Sequence, residues 1–155
     1  MQKRNDRRRQ RGFTLIEIMA VVLIIGMLMG IVGTAIVGNL RKARISTTIV
    51  QIKSLEGALT TYQMDNGRFP TTDQGMRALI EKPTGTPEPY GWRPGGYLAR
   101  KELPKDAWNG EFQYLSPGEQ NPDSFDLWSL GADAKAGGTD EDADIGNWPS
   151  EPAQP

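Results

Sequence analysis

From Ile18 to Val37 the chain runs twenty residues without a charge, between RGFTLIEIMAVV and GNLRKAR. As a helix that run rises ~30 Å, about the thickness of a bilayer's hydrocarbon core, and predicts a membrane span. Beyond it the pattern changes: Ile45, Ile49, Ile52, Leu55, Leu59 and Tyr62 recur at spacings of four, three, three, four and three. That is one apolar stripe on a helix, with Arg44, Lys53 and Glu56 largely off it, and its expected work is core packing rather than recognition. The two patterns join into one helix from about Thr14 to Met64. Asp65-Asn66-Gly67 supplies its stop, and Pro70 forbids continuation.

After the helix, PTTDQGMRALIEKP predicts a short second helix. Thr71 and Gln74 have capping-box spacing, Met76, Leu79 and Ile80 give an apolar face, and Pro83 ends it. TGTPEPYGWRPGGY is too rich in Pro and Gly for regular structure, and its Tyr90, Trp92 and Tyr97 are expected to cover the long helix. EFQYL (residues 111–115), introduced by Asn109-Gly110, and SFDLWSL (residues 124–130) alternate like strands. Two or three short antiparallel strands packed on the C-terminal half of the helix make the expected class α+β. PSEPAQP reads as a loose tail.

Charge sharpens this picture. Residues 1–12 carry six basic side chains against Asp6 alone, whereas from Asp123 onward eight acids face only Lys135. The basic cluster preceding the span places Met1 in the cytoplasm and the remainder outside. With no cysteine and no histidine among 155 residues, disulfides, thiolate or imidazole metal sites and histidine-based triads are excluded. Acid-only catalysis by the 123–151 cluster is conceivable, but nothing in the sequence marks an acid with a raised pKa. Nothing points to nucleic acid.

One residue resists the membrane reading. Glu17 places a carboxylate beside the apolar run, at ~2.5–3.5 kcal/mol on insertion scales, so it must snorkel to the headgroups or find a partner. The residues around it, Gly12, Phe13, Thr14, Leu15 and Glu17 followed by the uninterrupted span, resemble the class III signal of type IV pilins and type II secretion pseudopilins. That resemblance implies cleavage between Gly12 and Phe13 by a prepilin peptidase, N-methylation of Phe13, and pairing of Glu17 with the Phe13 amine of a neighbouring subunit during assembly. LEGALTTYQMDNGRFPTTDQGMRALIEKP, GGYLARKELPKDAWNGEFQYLSPG and LWSLGADAKAGGTDEDADIGNW extend the likeness to major pseudopilins of the general secretion pathway protein G family over nearly all the chain after Gly12. Type IV major pilins, with roles in adhesion or motility, share the signal but typically end in a disulfide-closed loop, which a chain without cysteine cannot form.

The family resemblance implies a pilin-like α+β fold with a leader (1–12), a transmembrane and assembly helix (13–37), a periplasmic domain (38–148) and a tail (149–155). It implies a homopolymer in which an inner-membrane platform with a cytoplasmic ATPase adds subunits. Minor pseudopilins cap the filament, which pushes folded proteins through an outer-membrane secretin channel. The family's membrane helix usually carries a proline where this chain has Thr34. With no proline between Met1 and Phe69, local unwinding must come from Gly30 and Gly33, each glycine weakening a helix by ~1 kcal/mol relative to Ala.

The segment from Asp133 to Asp144 packs five carboxylates into twelve residues, with Gly137 and Gly138 to loosen it. Oxygen ligands in a flexible loop suit calcium, while a solvated acidic loop is the plain alternative. Asp140, Asp142, Asp144 and Glu151 sit at EF-hand positions 1, 3, 5 and 12, but Ile145 stands where that loop needs Gly, and Pro149 and Pro152 preclude an exit helix. The family resemblance implies calcium held by the Asp133 and Asp144 side chains and by backbone oxygens of Leu130 and about Lys135. Thr139, Asp140 and Asp142 are further candidates.

Overall fold

A computed structural model describes residues 12–149, except for the side chains of residues 30–36. The basic leader through Arg11 and the tail from Ser150 lie outside the described residues. The chain divides into two compact units, one through Leu40 and one from Arg41 onward.

Helix α1 runs from Leu15 to Asn66, 52 residues, with Gly26, Gly30, Gly33 and Gly38 inside it. At its start the Glu17 N–H donates to the Thr14 carbonyl at 3.1 Å and approaches the Thr14 hydroxyl at 3.3 Å, so Thr14 satisfies a donor that the first turn leaves free. At its end Gly67, with φ +73°, donates its N–H to the Gln63 carbonyl at 2.7 Å, the left-handed stop that Asn-Gly foretold. In the first unit every described side chain from Phe13 to Met29 is exposed. Residues 30–36 of the expected span lie outside the described side chains, and among the described residues no helix is long and apolar enough to cross a membrane.

In the second unit the buried stripe of α1 is Thr48, Ile52, Leu55, Leu59, Tyr62 and Asn66. It differs from the expected stripe at its upstream end, where Ile49 is 39% exposed and Thr48 is fully buried. Thr48 can be buried because its hydroxyl accepts the Ala107 N–H at 3.3 Å. Asn66 is likewise satisfied: its Oδ1 accepts the Gly91 N–H at 3.0 Å and its Nδ2 donates to the Tyr62 carbonyl at 2.9 Å. Ile52, Leu55, Leu59 and Tyr62 pack with Met76, Leu79, Phe112, Phe125 and Leu127 into one core.

The expected second helix shrinks to a 3-10 turn, Met76–Leu79. The reciprocal Thr71–Gln74 hydrogen bonds do form, at 3.1 and 3.3 Å. Gly75, at φ +56°, then leaves helical geometry and splits the segment. Trp92 and Tyr97 pack as expected, with the Tyr97 ring 5.2 Å from Tyr62 and the Trp92 Nε1 donating to the Ala78 carbonyl at 2.8 Å. Tyr90 does not: it is 80% exposed, and the neighbouring Pro89 is the buried residue.

Three antiparallel strands form a sheet in the order β1 (Gln113–Leu115), β2 (Asp126–Ser129) and β3 (Ile145–Gly146). Tyr114 faces Leu127 and Trp128 faces Gly146. Two residues of β3 are too short to show alternation, so this strand had no signature of its own in the sequence. It returns the acidic loop to the sheet.

Candidate functional site

Two sets of expected residues are positioned by this fold. The first stands at the start of α1: Gly12, Phe13 and Glu17 are all exposed, with Phe13 at 79%, and Glu17 lies in the first helical turn. A carboxylate there is favoured by the partial positive charge of the free N–H groups. Among the described residues nothing covers the apolar side chains that follow it through Met29.

The second is the loop between β2 and β3. Its opening is held through Ser129, whose hydroxyl donates to Asp106 Oδ2 at 2.5 Å and accepts the Gly131 N–H at 3.1 Å. The loop then crosses itself twice. Ala132 N–H donates to the Glu141 carbonyl at 2.8 Å, and a Cβ on Gly131, at φ +70°, would lie 2.7 Å from that carbonyl oxygen. A Cβ on Gly138 would lie 2.3 Å from the Asp142 carbonyl oxygen. The glycine expected to loosen the loop is therefore required for a close crossing.

Of the expected metal ligands, Asp144 is the most constrained. Its Oδ2 accepts the Gly137 N–H at 3.0 Å, and its own N–H donates to the Gly137 carbonyl at 3.2 Å. Its Oδ1 is buried with no hydrogen-bond partner among the described residues. Asp133 is exposed and accepts the Lys135 N–H at 3.0 Å, while Asp142 closes a 3-10 turn, Asp140–Asp142, with its N–H on the Thr139 carbonyl at 3.0 Å. Leu130 is half-buried at the loop's entrance, and Lys135 and Thr139 are exposed. Among the described residues no three acidic side chains gather into a group that could hold a metal ion by themselves. A buried carboxylate oxygen lacking a donor nevertheless fits a hard cation, and the carbonyls of Leu130 and Lys135 are oxygens of the right type to complete a shell.

Two aspartates outside the expected ligand set hold the framework. Asp126, at 3% exposure, accepts the N–H groups of Glu119, Gln120 and Asn121 at 2.7, 2.8 and 3.0 Å and the Asn121 amide at 3.0 Å. Asp106 Oδ1 accepts from Trp108 at 3.0 Å and Gly110 at 2.6 Å. The signal for Asp126 was an acid in an otherwise apolar strand pattern, which needs donors to be buried.

Residues 35–148 match the family Type II secretion system (T2SS), protein G, and residues 7–33 match the prokaryotic N-terminal methylation motif. The type II secretion system core protein G of Pseudomonas aeruginosa is 50% identical over 143 residues, covering 92% of this chain and 98% of the relative. That of Vibrio cholerae is 49% identical over 141 residues, covering 91% and 93%. The crystal structure of the major pseudopilin from the type 2 secretion system of enterohaemorrhagic Escherichia coli superposes with a TM-score of 0.63 at 43% identity, covering 72% of this chain and 92% of that one. With a family match over residues 35–148 and 50% identity over 143 residues to a relative covered to 98%, the chain belongs to the type II secretion system protein G family, the major pseudopilins, non-enzymatic structural subunits of the pseudopilus.

Proposed function

We propose that the chain is made as a precursor whose leader, residues 1–12, is removed by a prepilin peptidase between Gly12 and Phe13, leaving an N-methylated Phe13. Residues 13–37 then hold the subunit in the inner membrane, with residues 38–148 in the periplasm. The observation that carries this reading is the start of α1: an apolar stretch exposed from Phe13 to Met29, helical from Leu15 and with Glu17 in the first turn, lying within the match to the methylation motif. A helix apolar all round needs a lipid or protein environment from outside the chain. Only after cleavage does a neighbour's Phe13 amine exist to neutralise Glu17, which ties the ion pair to assembly. The homopolymer grows on the inner-membrane platform driven by its ATPase, is capped by minor pseudopilins, and pushes folded proteins through the secretin channel.

The acidic loop is the proposed calcium site, held by Asp133 and Asp144 with the backbone oxygens of Leu130 and Lys135, and with Asp142 or Thr139 as further donors. Its support is the unpartnered Asp144 Oδ1. Bound calcium supplies the positive charge that lets the clustered acids lie close together.

N-terminal sequencing with mass measurement of the mature protein tests the processing: a methylated Phe13 is expected, and a start at Met1 overturns it. Glu17→Ala should leave cleavage and insertion intact while filaments and enzyme secretion are lost; normal filaments from that variant would sink the ion pair. Loss of surface pili rather than of enzyme secretion in cells lacking the protein would favour a type IV pilin role.

A further inference from the structure

Among the loop acids, Glu141 is the one whose side chain reaches α1. Its Oε1 lies 3.3 Å from Arg41 Nε, with Glu141 25% and Arg41 54% exposed. Its carbonyl meanwhile accepts the Ala132 N–H and crowds Gly131. Glu141 is thus pinned to the loop by its backbone and to the helix by its side chain. A second attachment runs from Gly131 N–H to Ser129 Oγ, from Ser129 to Asp106, and from the adjoining Ala107 N–H to Thr48 on α1. Arg41 and Thr48 are seven residues apart, two turns on the same helical face. Arg41 is also the first residue of the folded unit.

We propose that Glu141 makes the acidic loop a clasp on α1: the closed loop grips Arg41, and an open loop releases Arg41 and the turn that follows it. The pair of attachments gives this direction. Opening the crossing at Gly131 and Ala132 moves Glu141 away from the helix, because the same residue forms both contacts. The control of opening by a cation rests on the calcium reading of the loop, whereas the grip itself rests on the ion pair. Without a cation, five acids and Lys135 share twelve residues, and their repulsion favours opening. The ion pair is partly exposed, so its loss changes local protection rather than global stability.

Hydrogen exchange of the full chain in detergent micelles, read separately for residues 41–48 and 130–144, tests this with calcium and with a chelator. In calcium, Glu141→Gln and Arg41→Gln should each speed exchange at 41–48 by roughly two- to five-fold, the effect of a partly exposed ion pair. The double variant should add nothing further, and exchanging the two residues (R41E with E141R) should restore protection. Chelation of the wild type should speed exchange in both segments. Unchanged exchange at 41–48 in both single variants, or additive effects in the double, overturns the clasp. A loop indifferent to chelation overturns the calcium control instead, and the Arg41 and Glu141 variants still decide the grip.

Discussion

The turn around Asp126 and the loop ending at Asp144 are both built on aspartate, and they solve the same electrostatic problem differently. Asp126 draws four donors from residues 119–121, three of them backbone N–H groups, and glycine at 118 is needed because a Cβ there would lie 2.5 Å from Asp126 Oδ1. Its charge is stabilised by the chain's own donors. Asp144 receives one backbone donor on Oδ2 and none on its buried Oδ1, within a segment crowded with other acids. The number of donors, more than the number of carboxylates, separates a self-sufficient turn from one that fits an external cation.

The largest expected effect would break the self-sufficient turn. Asp126→Ala strands three backbone N–H groups and should cost about 3 kcal/mol or more, measured by denaturation of the full chain in micelles. The loss should be the same with and without calcium. A calcium-dependent loss would erase the contrast between the two regions.

A second experiment addresses the acidic loop. Calcium at one hundred times its dissociation constant should stabilise the wild type by about 2.7 kcal/mol over the chelated protein, and Asp144→Asn should remove most of that difference. A chelator that leaves the melting temperature unchanged would show the loop to be self-sufficient after all.

The smallest effect uses the core beneath both regions as an internal reference. Tyr114 donates its hydroxyl to the Pro70 carbonyl at 2.8 Å, and burial pushes its pKa well above the ordinary 10.0. A folded pKa raised above the unfolded one contributes stability below pH 10 that is lost as pH rises beyond it. Alkaline titration should therefore destabilise the protein from about pH 10 upward, whether or not calcium is present. Tyr114→Phe should cost about 1 kcal/mol at neutral pH and flatten that alkaline fall.

Much of the fold was legible because its signals are periodic. The change from an uncharged run to a one-sided stripe foretold α1 to within two residues of its end at Asn66. The stripe departs from expectation at its upstream end, where Ile45 is half-buried, Ile49 is exposed and Thr48, its hydroxyl matched to Ala107, takes the buried position. The second helix was misjudged because capping chemistry at Thr71 and Gln74 was read without the positive φ of Gly75. Tyr90, expected to cover the long helix, stays exposed because the chain bends at Gly91, whose N–H is held by Asn66. In the acidic loop the sequence marks a segment rich in carboxylates but ranks its acids by motif. The single backbone donor given to Asp144, and the grip of Glu141 on Arg41, depend on how the loop crosses itself.

The N-terminal methylation motif, the long helix and the asymmetry of charge were determined by the sequence itself, because each arises from residues close along the chain. Tertiary structure decided which carboxylates are satisfied and which are left needing a partner. Asp126 finds its donors five to seven residues upstream and Asp106 meets Ser129 across 23 residues. Only the folded path of the backbone brings donors and acceptors separated in this way to hydrogen-bonding distance.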